Sequence, residues 1–148
     1  MITHDTLPIL LADDCAALPQ RGREGDAGFD IRSTVRVDIE PFERAIVPTG
    51  VKIALSEGQA ALVVPRSGLA ARHGITIVNA PGLIDSNYRG EIKVILANLD
   101  KSETFHIEPG DRIAQLVIVK VETPEMTRVD VLPESNRGEA GFGSSGIA

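Results

Sequence analysis

The chain has 148 residues, a formal net charge of −6 and a single cysteine, Cys15. A chain of this length suits one domain with one core, and its acidic balance argues against binding long nucleic acids, which requires a basic face that displaces counterions from phosphate. One thiol cannot form an internal disulfide, so we expect a reducing compartment, with Cys15 as an inert side chain rather than a nucleophile.

Short β-branched runs recur along the chain with turn residues between them. Apolar and polar residues alternate clearly at Val35, Val37 and Ile39, and no long segment has the 3.6-residue period of a helix. The one stretch compatible with a helix is residues 68–73. This pattern predicts an all-β barrel or sandwich, with a jelly-roll-like topology as the leading candidate. The predicted strands are 7–11, 29–33, 35–39, 45–47, 51–55, 61–64, 75–78, 92–99, 104–107, 113–121 and 127–132.

Aromatic residues are few: the chain has four phenylalanines, one tyrosine and no tryptophan. Its core must therefore consist mainly of Val, Ile, Leu and Ala side chains. Small aliphatic β domains often gain further burial by oligomerising, so we expect an oligomer.

The segment NAPGLIDSNYRGEI, at residues 79–92, connects two predicted strands. Its glycines and proline are typical of a tight connection, and we expect the tip of a β-hairpin with Asp85 and Tyr88 near the apex. Ile84 precedes the carboxylate, which suggests that Asp85 is partly shielded from bulk water, as a general base requires. On the residues alone, a turn-capping role for Asp85 and a half-buried hairpin position for Tyr88 remain alternatives.

The composition changes after position 132, where the chain continues as PESNRGEAGFGSSGIA. We therefore divide the chain into a β domain at 1–132 and a flexible glycine-rich arm at 133–148. Phe142 lies between glycines and cannot pack in a core, so it either docks on a surface or stacks on a ligand. With the phosphate-binding fork of Arg137 nearby, the arm suits a lid over a phosphorylated, ring-containing ligand; a plain disordered tail is the alternative.

Taken together, five segments resemble the motifs of the trimeric dUTPase (deoxyuridine 5′-triphosphate nucleotidohydrolase) family, and they occur in that family's order. Each alone would be weak, because glycine-rich phosphate loops are common. They are GDAGFDI (25–31), PRSGLA (65–70), NAPGLIDSNYRGEI (79–92), GDRIAQLV (110–117) and RGEAGFGSSG (137–146).

The resemblance implies a β-clip, jelly-roll-like fold that forms homotrimers, with each active site shared between subunits and closed by one subunit's arm. It implies hydrolysis of dUTP to dUMP and pyrophosphate, which would supply dUMP for thymidylate synthesis and limit uracil incorporation into DNA. Asp85 would activate the attacking water, and Tyr88 would pack on the sugar and leave no room for a 2′-hydroxyl. Leu83 and Ile84 would belong to the same substrate-binding segment, in which main-chain groups read the uracil edge.

The remaining implied contacts surround the base and the triphosphate. Asn79 would lie beside the uracil, with Lys93 as a further contact through its backbone. Without the motif context, a helix cap for Ser67 and a buried strand amide for Gln115 are equally acceptable. The implied triphosphate ligands are Arg66, Ser67, Gly68 and Gln115, and the arm would contribute Arg137, Phe142 stacked on uracil, Gly143, Ser144 and Ser145.

We expect the required metal to be Mg²⁺, bound by the phosphates of the substrate. His4, His73 and His106 lack the spacing of metal ligands, and Mg²⁺ often keeps its waters, with protein carboxylates in an outer shell. Asp30, the aspartate of the AGFD sequence, is the candidate for that outer shell, and Asp26 is expected to be structural.

The arm departs from the family pattern at two positions: Ser145 stands where threonine is common, which should be nearly neutral, and Ala140 replaces the first of two glycines before the aromatic residue. If that position needs a positive φ, alanine would cost about 1 kcal/mol in the closed state, which would weaken closure of the lid rather than abolish activity.

Two other functions are alternatives. A dCTP deaminase has a similar fold but needs a carboxylate at the base ring. A catalytically silent nucleotide-sensing module would be expected to lack Asp85, Arg137 or Phe142, and all three are present. The apolar runs are too short to span a bilayer and no signal peptide precedes them, so we expect a cytoplasmic protein with no membrane partner.

Overall fold

The structure is a computed structural model that describes residues 6–136 and 138–139. Its elements confirm the all-β prediction. They are β1 (Ile9–Leu11), β2 (Phe29–Arg32), β3 (Val37–Ile39), β4 (Arg44–Pro48), β5 (Val51–Ile53), β6 (Gln59–Val64), α1 (Ser67–His73), β7 (Ile75–Ile77), β8 (Gly82–Ile84), β9 (Lys93–Asn98), β10 (Phe105–Ile107) and β11 (Arg112–Lys120).

The strands form four antiparallel sheets around one aliphatic core. The largest sheet has the order β2-β11-β6-β8, a second has the order β4-β9-β7, and the pairs β1-β5 and β3-β10 complete the fold. The fully buried side chains are mostly isoleucine, leucine and valine, as the small aromatic content predicts. In the part of the chain that the structure describes, no helix is long and apolar enough to cross a membrane.

The predicted strand at 127–132 is wrong. Residues 121–136 form no regular element, and every one of them is exposed. The apolar alternation of Val129 and Val131 looks like a strand, but a strand also needs a neighbouring edge whose N–H and C=O groups it can pair with. Among the described residues, no such edge receives this segment.

The segment at 79–92 contains a strand that the sequence prediction missed. The predicted pairing of the flanking strands is confirmed, because β7 pairs with β9 through Ile75↔Asn98 and Ile77↔Leu96, but the expectation that the segment forms only a hairpin tip is wrong. Between these two strands, however, the chain enters the other sheet, where the three residues of β8 pair with β6. A three-residue strand that begins just after a proline carries almost no periodic signal.

Strand β11 contains a bulge that turns one side chain outward. The register of β11 against β2 shifts between Arg112 and Ala114, so two consecutive residues, Ile113 and Ala114, are both buried. Without the bulge, alternation would direct Arg112 to the same face as Ala114. The bulge instead lets Arg112 reach Asp30 on β2.

Candidate functional site

A cavity of about 190 Å³ opens between β8 and the paired strands β7 and β9. Six of the predicted substrate-binding residues line it together, although they come from the loop, from β8 and from β9. The cavity also includes Glu91 and Ile95, which the sequence analysis did not single out. The six predicted residues are Asn79, Leu83, Ile84, Asp85, Tyr88 and Lys93.

Strand β8 fixes the position of Asp85. Ile84 pairs with Ala61 and Gly82 with Val63, so Asp85 follows directly at the end of the strand. A Cβ atom added at Gly82 would lie 3.2 Å from the Cβ of Val63, which shows how closely the two strands approach there.

The expectation that Asp85 is shielded from water is wrong for this chain. Ile84 points into the core and is only 8% exposed, but side chains alternate along a strand and the next residue points outward. Asp85 is accordingly exposed. Its carbonyl oxygen accepts a hydrogen bond of 3.1 Å from the backbone N–H of Tyr88, which closes a turn after β8. Any shielding of the carboxylate must come from outside the described residues of this chain.

The far end of the loop is tied to the turn between β4 and β5. The carboxylate of Glu91 accepts a 2.9 Å hydrogen bond from the N–H of Gly50. The hydroxyl of Thr49 donates to the carbonyl of Ile92 at 2.6 Å, and the Ile92 N–H donates to Val51 at 2.8 Å. These bonds hold the cavity wall in a fixed position.

Arg89 belongs to the same loop and stabilises it internally. One guanidinium nitrogen donates to the carbonyl oxygens of Ser86 at 2.7 Å and Tyr88 at 2.9 Å. Because two carbonyls already bind this nitrogen, we interpret Arg89 as a structural residue of the turn rather than as a phosphate ligand.

A second cluster of predicted residues lies at the end of β6 that leads into α1. The Nε of Arg66 donates to one oxygen of Asp30 at 3.1 Å, and Arg112 donates to the other oxygen at 3.3 Å. The Asp30 side chain is only 11% exposed. Two guanidinium groups against one carboxylate leave a net positive charge at this end of the sheet, which suits a phosphate ligand. The sequence analysis missed Arg112, whose only signal was its place within the GDRIAQLV segment.

Ser67, Gly68 and Gln115 lie beside this ion pair. The N-cap of α1 is Arg66, so the alternative of Ser67 as the helix cap is wrong. Gln115 lies opposite Asp30 on one side and Val64 on the other. It is only partly buried, and a Cβ atom added at Gly28 would lie 3.2 Å from its side chain.

Asp85 and the Arg66 cluster lie toward opposite ends of β6. By the register of β8, Asp85 comes opposite Ala60, and residues Gln59, Ala60 and Asp85 line one shallow depression. Arg66 is six positions further along the chain from Ala60, and at about 3.3 Å per residue this corresponds to about 20 Å. The backbone positions of Asp85 and Arg66 are therefore well separated within one chain.

The described residues offer no protein cage for a metal. Within 6–136 and 138–139, no group of three or more His, Cys, Asp or Glu side chains is placed to hold an ion. The predicted site residues of the arm, together with Ala140, lie outside the described residues; they are Arg137, Phe142, Gly143, Ser144 and Ser145.

Comparison with known proteins gives one consistent result. The family model described as dUTPase matches residues 14–146. A protein of Leifsonia xyli named deoxyuridine 5′-triphosphate nucleotidohydrolase is 57% identical over 129 residues, which cover 87% of this chain and 85% of that protein. The protein of the same name from Streptomyces avermitilis is 52% identical over 147 residues, covering 98% and 84% of the two chains.

Solved structures agree with the sequence comparison. The dUTPase of Staphylococcus bacteriophage 80alpha, in a structure with dUpNHpp, superposes with a TM-score of 0.91 at 34% identity and covers 97% of this chain and 99% of that one. A mutant of the dUTPase from phage phi11 of Staphylococcus aureus, in a structure that shows the coordination of a structural Mg(II) ion, has a TM-score of 0.81 at 30% identity, with coverage of 88% of this chain and 100% of that one. The jelly-roll-like fold prediction is thereby confirmed.

Proposed function

The chain belongs to the dUTPase family, and from this premise we propose that it hydrolyses dUTP to dUMP and pyrophosphate with a water molecule activated by Asp85. The observation that carries the proposal is the cavity in which Asp85, Tyr88 and the backbone of β8 meet. This arrangement offers a carboxylate, an aromatic ring and fixed main-chain groups to one small ligand.

The chemistry asked of Asp85 is general-base catalysis. Its carboxylate accepts a proton from water as the water attacks the α-phosphorus in line with the leaving pyrophosphate. Phosphoryl transfer needs little covalent chemistry from the protein, so the rate comes mainly from placement of the water and neutralisation of charge. Exposure of Asp85 in the single chain is consistent with a site that closes only when further groups cover it.

Base selection follows from hydrogen-bond polarity. Uracil presents a carbonyl acceptor where cytosine presents an amino donor, so a main-chain N–H that pairs with uracil would be left buried and unpaired by cytosine. A mismatch of this kind discriminates by roughly 10⁴-fold. Thymine adds a methyl group, which a rigid wall excludes, and the bonds from Glu91 and Thr49 supply that rigidity. Asn79 and Lys93 complete the proposed base site.

The triphosphate would be bound by Arg66, Ser67, Gly68 and Gln115 of a different subunit from the one that supplies Asp85. The separation along β6 is the reason, because it keeps the two sets apart within one chain. Large exposed apolar side chains suit burial between subunits, and the arm from 133 to 148 would close over the shared site. These side chains include Ile46, Leu83, Val131 and Leu132.

Mg²⁺ would be held by the triphosphate and would neutralise part of its charge. The described residues fit this role because they provide no inner ligand set that would compete with the phosphates. Both oxygens of Asp30 accept a guanidinium N–H, yet each carboxylate oxygen has a further lone pair that can accept a hydrogen bond from a metal-bound water. Asp30 therefore both positions Arg66 and remains the proposed outer-shell ligand.

The division of the site between subunits predicts complementation. Arg66→Ala and Asp85→Asn should each be nearly inactive alone. In trimers reassembled from an equal mixture, a given site has one chance in two of an intact Asp85 and one in two of an intact Arg66. About one quarter of wild-type turnover should therefore return, measured as pyrophosphate release.

The matched control mixes Arg66→Ala with Gln115→Ala. One subunit supplies both residues to a given site, and every subunit in this mixture lacks one of them. No single site can therefore contain both side chains, and turnover should stay low. If the Arg66→Ala and Asp85→Asn mixture forms mixed oligomers but recovers no activity, the sites are not shared in this way.

The proposed function itself is tested by a substrate panel. Pyrophosphate release from dUTP, dTTP, dCTP and UTP is measured side by side, with and without Mg²⁺. We expect fast, Mg²⁺-dependent release from dUTP alone. Ammonia release from dCTP would instead identify a deaminase, and binding of dUTP without turnover would identify a nucleotide-sensing module.

A further inference from the structure

Gly90 lies directly beneath the hydroxyl end of the Tyr88 ring. A Cβ atom added at Gly90 would overlap the phenol oxygen of Tyr88 and would lie 2.5 Å from Cζ and 2.9 Å from Cε2. Real Cβ atoms essentially never approach other atoms so closely, so any side chain at position 90 must displace the ring. The clash involves no other residue among the nearest contacts.

The ring is also tethered at its tip. The Tyr88 hydroxyl donates a 3.0 Å hydrogen bond to the carbonyl oxygen of Glu91. Glu91 is in turn held through its carboxylate by the N–H of Gly50. One side of the ring thus rests on the loop backbone, and the residue keeps 45% of its surface exposed where it lines the cavity.

The need for glycine at this position is not explained by backbone conformation. The residues with positive φ in the described chain include Gly50, Gly58 and Gly74, but not Gly90. A positive φ therefore does not account for the glycine at position 90. The absence of a side chain makes room for the Tyr88 ring.

We propose that Gly90 is a specificity-determining positioning residue. Because it has no side chain, it lets the Tyr88 ring occupy the position from which the ring excludes a 2′-hydroxyl. The proposal rests on the proposed function, because it assigns Tyr88 to the sugar. A ring that is lifted by a methyl group can no longer define the same contact surface. Selectivity between deoxyribose and ribose should then fall, while the catalytic carboxylate of Asp85 stays in place.

The first test is the ratio of kcat/KM for dUTP to kcat/KM for UTP in Gly90→Ala. We expect this ratio to fall by about tenfold or more, because a site that rejects a substrate by shape loses the rejection when its wall moves. Gly22→Ala is the matched control, because Gly22 also lacks a positive φ and its added Cβ would meet only the end of the Asp26 side chain at 3.2 Å. That variant should keep the wild-type ratio.

A double-mutant cycle separates a positioning role from a general structural one. In a Tyr88→Ala background there is no ring to displace, so adding Gly90→Ala should change the selectivity ratio no further. If Gly90→Ala lowers the ratio equally in both backgrounds, Gly90 does not act through Tyr88 and the proposal is wrong.

Fluorescence reads the ring without any turnover. Tyr88 is the only tyrosine and the chain has no tryptophan, so its emission reports this ring alone. We expect Gly90→Ala to raise the acrylamide quenching constant of the free protein, and Gly22→Ala to leave it unchanged. If Gly90→Ala raises the quenching constant but the protein does not hydrolyse dUTP, Gly90 positions the Tyr88 ring and the proposed function is wrong. If the enzyme is active and Gly90→Ala changes neither the quenching constant nor the dUTP/UTP selectivity ratio, only the proposed role of Gly90 is wrong.

Discussion

Replacing Asp85 by asparagine is expected to lower kcat for dUTP by about 10²–10⁴-fold, the usual contribution of a general base. Asparagine has nearly the same shape and can still hold a water molecule, but its amide cannot accept the proton. The carboxylate is exposed and forms no side-chain hydrogen bond within the described chain, so the free energy of unfolding should change by no more than about 0.5 kcal/mol. The measurement is steady-state pyrophosphate release at saturating dUTP.

Two further measurements make this result specific. Asp85→Asn should retain binding of dUpNHpp, because the residue is assigned to chemistry rather than to affinity. Asp14→Asn, an equally exposed carboxylate outside the site, should keep full turnover. Wild-type kcat in Asp85→Asn would reject Asp85 as the base and, with it, the proposed mechanism.

Truncation after Leu132 is expected to remove most of the turnover, with a loss of at least about 100-fold in kcat/KM. The truncated chain would lack Arg137, the proposed phosphate ligand, and Phe142, the proposed stacking ring, so the site is expected to stay open to water. Folding should survive, because residues 121–136 are exposed and the buried core lies before them. The unfolding midpoint and the oligomeric state therefore serve as the readouts of integrity.

The control for truncation removes only Ile147 and Ala148, which lie beyond the RGEAGFGSSG segment. This short deletion should leave kcat/KM unchanged. The single variants Arg137→Ala and Phe142→Ala should each reproduce part of the loss. Full activity in the chain that ends at Leu132 would reject the role of the arm as a lid.

Local sequence patterns are sufficient to predict an element or a contact when the residues that form it are close in the chain. Strands β1 to β7, β9, β10 and β11 were anticipated from short β-branched runs, although their ends shifted by a few residues. Asp85 and Tyr88 are three residues apart in one turn, so their proximity was predictable from a single segment. The prediction of a strand at 127–132 failed because its residues favour a strand, while residues 6–136 and 138–139 supply no partner edge for it.

Contacts between distant parts of the chain were not predictable in the same way. The ion pair of Arg112 with Asp30 joins residues 82 positions apart and depends on a bulge in β11 that no periodicity announces. Tyr88 and Gly90 are close in sequence, but only the tertiary structure shows that the Tyr88 ring lies against the backbone at Gly90.

The sequence by itself identified the chemical groups, since five ordered motifs contain the proposed base, the aromatic ring and the proposed phosphate ligands, and residue type fixes which functional group each side chain carries. Only the tertiary structure decided which of these groups share a cavity. Strand pairing fixes register, and the register of β8 on β6 places Asp85 and Arg66 at opposite ends of the same sheet. A linear motif order contains no information about that distance, because it is set by hydrogen bonds between segments rather than along them.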